Sequence, residues 1–143
     1  MNTEHIDIQT YKQQLQLEDC TFFQIKHDDA IVAVVYLVEQ PDKKRFILKI
    51  CDRPQDYFRE VYFLKRFNGV LPVAQIVKLI EPSADVHGAI LMECFSGSLL
   101  QASELTDKLA YEIGSLLARV HLNRTVAYGD LYWVYGQTWH MGE

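Results

Sequence analysis

The sequence predicts an α+β fold: a five-stranded antiparallel sheet with a packed helix, followed by a further helix that opens a second, helical region. Three observations lead there. The runs CTFFQIKH, AIVAVVYLVE and RFILKIC are rich in β-branched and aromatic residues and are joined by short turns, too short for the crossovers that parallel strands require. Two further runs, AQIVKLIE and AILMECF, flank the turn-rich EPSADVHG. Helical periodicity appears between and after these runs without strict alternation, which favours α+β over a doubly wound parallel sheet.

Each element has its own signals. Residues Ile8 to Leu17 read as a short polar helix. Asp28-Asp29 sits in the first hairpin turn and Gln40-Pro41-Asp42-Lys43-Lys44 forms the second. A helix is expected from Pro54, suited to a first turn where its missing N–H is unused, to Phe67, with Asn68-Gly69 as the stop. Ser96-Gly97 ends the fifth strand. In SELTDKLAYEIGSLLARVHLN, Leu105, Leu109, Ile113, Leu116 and Val120 recur at helical spacing, with Ser103 or Thr106 as N-cap. The expected organisation is two regions, 1–97 and 98–143.

Composition narrows the function classes. The 143 residues suffice for a domain with a real core, and 49% hydrophobic with 23% charged residues is typical of a globular chain. A net charge of −5 with no basic run argues against nucleic acid and anionic membranes as partners. The polar start MNTEHIDIQTYKQQLQ has no signal-peptide core, and no apolar stretch reaches the roughly 20 residues of a membrane span. Cys20, Cys51 and Cys94 are odd in number and form no C-x-x-C pair, which fits reduced thiols and a cytoplasmic location. The histidines show no metal-ligand spacing with Cys or Asp.

Two charges stand out. In RFILKIC, the strand period places Ile47, Lys49 and Cys51 on one face, so Lys49 shares its face with apolar neighbours. On the next helix Tyr57, Glu60, Leu64 and Phe67 share one stripe. A strand lysine usually snorkels to water, and a glutamate beside a stripe is usually solvated. But burying either charge alone is costly, and the strand runs directly into the helix, so the economical arrangement pairs Lys49 with Glu60. A strand lysine held by a helix glutamate is the arrangement that positions the phosphates of ATP in kinases.

At these residues the sequence resembles the aminoglycoside phosphotransferase family, which is similar to choline and homoserine kinases. RFILKI resembles the strand with the ATP-binding lysine, FREVYFLKRFNG the helix with the partner glutamate, and VLPVAQIV the entry to the fourth strand. AILMECFSG resembles the segment joining the lobes, and LAYEIGSLLARVHL the helix that follows. The resemblance covers about residues 20–131. It implies a kinase-like nucleotide-binding lobe with its hinge, then the start of a truncated helical substrate lobe. It further implies that Lys49 contacts ATP phosphates, Glu60 orients Lys49, Met92 stands at the gate of the adenine pocket, and the backbone C=O of Glu93 and N–H of Phe95 bond the adenine edge. For the Met92 and Phe95 side chains the alternative is plain core packing. His121 matches a family position, where a buried, hydrogen-bonded helix histidine is expected.

The chain departs from the family in two places. The hairpin KHDDAIVAVVY has no glycine, and Asp28 and Asp29 would repel phosphate, which leaves ATP affinity weak or absent. The catalytic H-G-D-x-x-x-x-N loop is imitated by Tyr128-Gly129-Asp130-Leu131, but Tyr128 replaces His, Tyr135 replaces Asn, and no metal-binding Asp follows. No catalytic or metal-binding residue is therefore assigned.

Two functional readings follow. In the first, the chain is the N-terminal part of an ATP-dependent small-molecule phosphotransferase, inactive alone, whose intact form uses Mg²⁺ and a small-molecule hydroxyl acceptor. In the second it is a non-catalytic, kinase-like binding or dimerisation module. The apolar residues from Leu105 to Trp139 are expected to drive self-association. A plain α+β domain with chance matches is the remaining alternative.

Overall fold

The computed structural model describes residues 6–26 and 33–124. Asp28, Asp29, the Tyr128–Leu131 segment and the aromatic residues beyond it lie outside the described residues. Among the described residues the elements are α1 (Ile8–Leu15), β1 (Thr21–Ile25), β2 (Ala33–Glu39), β3 (Arg45–Cys51), α2 (Pro54–Phe67), β4 (Ile76–Ile80), β5 (Ala89–Glu93) and α3 (Asp107–His121), with a 3₁₀ turn at Ala102–Glu104. The chain divides into two compact units, one of residues 1–68 with 73–94, the other of 69–72 with 95–143.

The first unit is the expected five-stranded antiparallel sheet with helices, in the order β1-β2-β3-β5-β4. β5 enters between β3 and β4, so the most apolar strands lie at the centre. Ala89, Ile90 and Leu91 are at most 1% exposed, as are Leu48 and Ile50. The turn between β2 and β3 closes through Gln40 N–H to the Lys44 carbonyl (2.9 Å) and Lys43 N–H to the Gln40 carbonyl (2.9 Å). Lys43 takes a positive φ of 71° there.

The alternation in β3 divides the core in two. Phe46, Leu48 and Ile50 point to the face that carries α1, where Tyr11, Leu15, Leu17 and Cys20 close over them. Asp7 caps α1 by accepting the Gln9 N–H at 3.0 Å, and Gln16 ends it in the left-handed region, φ 58°. On the opposite face Cys51, Ile90 and Met92 pack with Tyr57 and Val61 of α2. Pro54 stands at the start of α2, and Gly69, at φ 75°, follows Asn68 at its end. Tyr57 and Val61, with Leu64 beside them, hold α2 to the sheet, each buried side chain contributing about 1.5–3 kcal/mol.

One close approach fixes where α2 begins. Tyr57 is 2% exposed, and its ring lies on the backbone of Gly88, so that a Cβ at Gly88 would come within 2.6 Å of the ring. The Cys51 N–H donates to the Gly88 carbonyl at 2.8 Å. His87 adds a second tie: its carbonyl accepts the Tyr11 hydroxyl (3.2 Å), and its Nδ1 lies 3.1 Å from the Asp52 carbonyl. The segment before β5 is thereby joined to α1 and to the β3–α2 junction.

In the second unit Thr106 is the N-cap of α3, accepting the Leu109 N–H at 3.2 Å. The 3₁₀ turn before it carries a capping box between Gln101 and Glu104. Arg119 donates to the Val70 carbonyl, tying 69–72 to the helix. Of the expected apolar stripe, Leu109, Leu116 and Val120 are half-buried, while Leu105 and Ile113 are exposed. His121 differs from expectation. It is exposed in the last turn of α3, where a basic group complements the helix dipole, and is not buried. Among the described residues no helix is long and apolar enough to cross a membrane.

Two predictions follow from this packing. Gly88→Ala forces the Tyr57 ring to move and is expected to destabilise the fold by about 1–3 kcal/mol in urea titration; an unchanged midpoint would contradict the packing. Burial pushes the Cys51 thiol from an ordinary 9.0 up to about 12, with the Glu60 carboxylate adding to the rise. The thiol stays neutral in the fold and ionises near 9 once unfolded, so its contribution is complete below pH 9 and is lost as pH rises toward 12. The urea midpoint should therefore fall less steeply over that range in Cys51→Ala than in the parent chain. Equal slopes would show that Cys51 is not buried as described.

Candidate functional site

The site is built on the α2-facing side of the sheet. Lys49 is at the middle of β3, flanked on its own face by Ile47 and Cys51, and paired in register with Val35 on β2 and Ile90 on β5. Glu60 is in the second turn of α2, three residues after the Tyr57 anchor. The Lys49 Nζ donates to Glu60 Oε2. Each side chain is 27% exposed, so the pair is partly dry with one side open to solvent. The lysine spans from strand to helix because the helix anchor and the strand alternation both demand it. Removing either partner leaves a half-buried charge without its counter-ion.

Next to the pair, the sheet face is not fully covered by α2. Two registered rows cross it: Ile25–Val35–Lys49–Ile90, and Phe23–Leu37–Ile47–Met92. The β5 ends of these rows are core, with Ile90 at 0% and Met92 at 8% exposed. Val35, Leu37 and Ile47 remain half-buried. They form an apolar strip that begins beside the Lys49 ammonium. The sequence reading missed Val35 and Leu37, because AVVYLVE is apolar on both faces and its period does not tell which face stays open.

The pair also lines a recess of about 360 Å³, together with Asp56, Arg59, Phe63, Leu64, Phe67 and Val73. Asp56 organises its rim. Its carboxylate accepts from Arg53 Nε (2.7 Å) and Nη2 (3.2 Å) and from Arg59 Nη1 (3.5 Å). Phe63 stacks on Phe67, with centroids 5.9 Å apart and planes 4° from parallel.

The five residues singled out from the sequence are thus placed as follows. Lys49 and Glu60 meet. Met92 is in the core under α2, packed with Cys51, Tyr57, Val61 and Ile90. Glu93 ends β5, opposite Phe46, and its N–H donates to the Gln75 carbonyl at 3.0 Å. Phe95 belongs to the second unit, with 61% of its surface exposed. Among the described residues no three His, Cys, Asp or Glu side chains converge as a metal site, and none is assigned to Mg²⁺.

Chemically, the site offers one ammonium held in place by a carboxylate, beside a flat apolar strip. That combination suits a ligand with an anionic group at one end and a planar apolar body at the other. No curated protein matches the chain in sequence. The model of the phosphotransferase enzyme family matches residues 27–135, a span that takes in β2 to β5, both members of the ion pair and α3. With more than half of its length matched, and with the lysine–glutamate pair formed inside the matched span, the chain belongs to the phosphotransferase enzyme family.

Proposed function

We propose that the chain is the nucleotide-binding part of an ATP-dependent phosphotransferase that acts on the hydroxyl of a small molecule. The observation that carries this reading is the Lys49–Glu60 pair at the end of the Val35–Leu37–Ile47 strip. In this reading the ATP phosphates take the Lys49 ammonium, Glu60 holds that ammonium in place, and the base lies on the strip. The backbone of Glu93 and Phe95 is assigned to the edge of the base by family resemblance. Met92 acts behind the strip, through packing.

Phosphoryl transfer itself needs an aspartate at the acceptor hydroxyl and further metal-binding groups. Tyr128-Gly129-Asp130-Leu131 only imitates the family's catalytic loop, with Tyr128 at the histidine position and Tyr135 at the asparagine position of that pattern. The 143 residues are assigned nucleotide binding without turnover, and the odd, unpaired cysteines favour a cytoplasmic setting. A non-catalytic binding or self-associating module is the second reading. It is favoured by the exposure of Tyr111 (78%), Leu117 (55%) and Leu122 (77%) on and after α3.

Calorimetric titration with MgATP separates the readings. The parent chain is expected to bind, and Lys49→Ala and Glu60→Ala to lose about tenfold or more in affinity while remaining folded. No binding by a folded parent chain, or equal binding by all three, would overturn the nucleotide reading. The strip makes its own prediction: MgATP should bind more tightly than magnesium tripolyphosphate, and Val35→Glu should abolish that difference. Equal affinity for the two ligands in the parent chain would remove the strip from the site.

A further inference from the structure

Lys49 shares its recess with two carboxylates. Asp56 and Glu60 are four residues apart on α2, so their side chains lie on neighbouring turns of one face. Both line the recess together with Lys49. Cys51, two residues along β3 on the lysine's face, senses all three charges. Burial raises its thiol most; Glu60 adds to the rise, Lys49 opposes it and Asp56 adds again. The three charges therefore share one neighbourhood, yet the ammonium of Lys49 donates to Glu60.

The two carboxylates differ in what already holds them. The Asp56 side chain is 13% exposed, against 27% for Glu60. The drier carboxylate exerts the stronger pull on a cation. That pull is already met. Arg53, the residue before α2, reaches Asp56 with Nε and Nη2, and Arg59 reaches it with Nη1 from the next turn. An acid in the first turn also complements the helix dipole, which accounts for Asp56 itself. The same placement makes it a rival to Glu60. Without its arginines, Asp56 is a half-buried carboxylate lacking their counter-charge, a costly state, in a recess whose other lining cation is Lys49.

We propose that Arg53 and Arg59 are positioning residues for Lys49: by occupying Asp56 they leave Glu60 to hold the ammonium, and so fix it beside the Val35–Leu37–Ile47 strip. They act through Asp56 and need touch no ligand. The consequence for nucleotide binding rests on the phosphate role proposed for Lys49; the choice between the two carboxylates does not.

Urea unfolding followed by circular dichroism tests that choice with no ligand present. Glu60→Gln should lower the midpoint of the parent chain. In Arg53→Gln/Arg59→Gln, where Lys49 turns to Asp56, the same substitution should cost about half as much or less, and adding Asp56→Asn should bring the full cost back. If the double variant does not fold, Arg59→Gln alone supplies the weakened background, with the same expected direction. Calorimetry with MgATP reads the consequence. Arg53→Gln/Arg59→Gln should bind about fivefold or more weakly than the parent, and Asp56→Asn should recover most of that loss. An equal cost of Glu60→Gln in all three backgrounds overturns the proposal. So does a loss of affinity that Asp56→Asn fails to recover, which would mark the arginines as ligand contacts or as supports of the fold. If the parent chain binds no MgATP, the nucleotide reading falls, and the urea series alone decides whether the arginines position Lys49.

Discussion

The ion pair between Lys49 and Glu60 links the central strand of the sheet to the helix beside it, and much of the first unit is arranged to keep it formed. β3 supplies the lysine at a position that alternation turns toward α2. The direct passage from Cys51 into Pro54 brings that helix back over the same face. Tyr57, one turn ahead of Glu60, is pinned on the Gly88 backbone. Neither charge is fully removed from water, so the pair escapes the full desolvation cost of a buried ion pair while keeping the lysine in one orientation. That compromise suits a binding group, which must be both held and reachable.

The same arrangement explains why part of the sheet face stays open. α2 covers the rows at their β5 ends, where Ile90 and Met92 are buried, and leaves Val35, Leu37 and Ile47 partly uncovered. An apolar surface next to a fixed cation can take a ligand with two chemically different ends. The chain belongs to the phosphotransferase enzyme family, and in the proposed reading that ligand is a nucleoside triphosphate with its phosphates at Lys49 and its base on the strip. Asp56 with Arg53 and Arg59 adds a further charged cluster in the recess that the pair lines.

Much of this was legible in the sequence, for reasons particular residues make plain. The faces of β3 followed from strict alternation, and α2 began and ended where Pro54 and Asn68-Gly69 said it would. The pairing of Lys49 with Glu60 followed from the cost of burying either alone. Other features depend on tertiary packing and carry no local signal. The placement of β5 between β3 and β4 is a matter of which strand is most apolar. Gly88 reads as an ordinary loop glycine until Tyr57 lies on it. Met92, in a run apolar on both faces, could equally have been wall or core. His121, expected to be buried at a position matching the family's, falls in the last turn of α3 and is exposed.

The central claim is that the ammonium of Lys49 is where nucleotide phosphates are received. An ATP acyl-phosphate probe tests it directly, because a lysine amine beside the bound phosphates attacks the acyl carbon, forming an amide and releasing ATP. The account predicts acylation concentrated at Lys49 and suppressed by excess MgATP, with surface lysines such as Lys43 and Lys108 modified slowly and without ATP protection. Labelling spread over the surface lysines, with Lys49 unmodified or insensitive to MgATP, would contradict it.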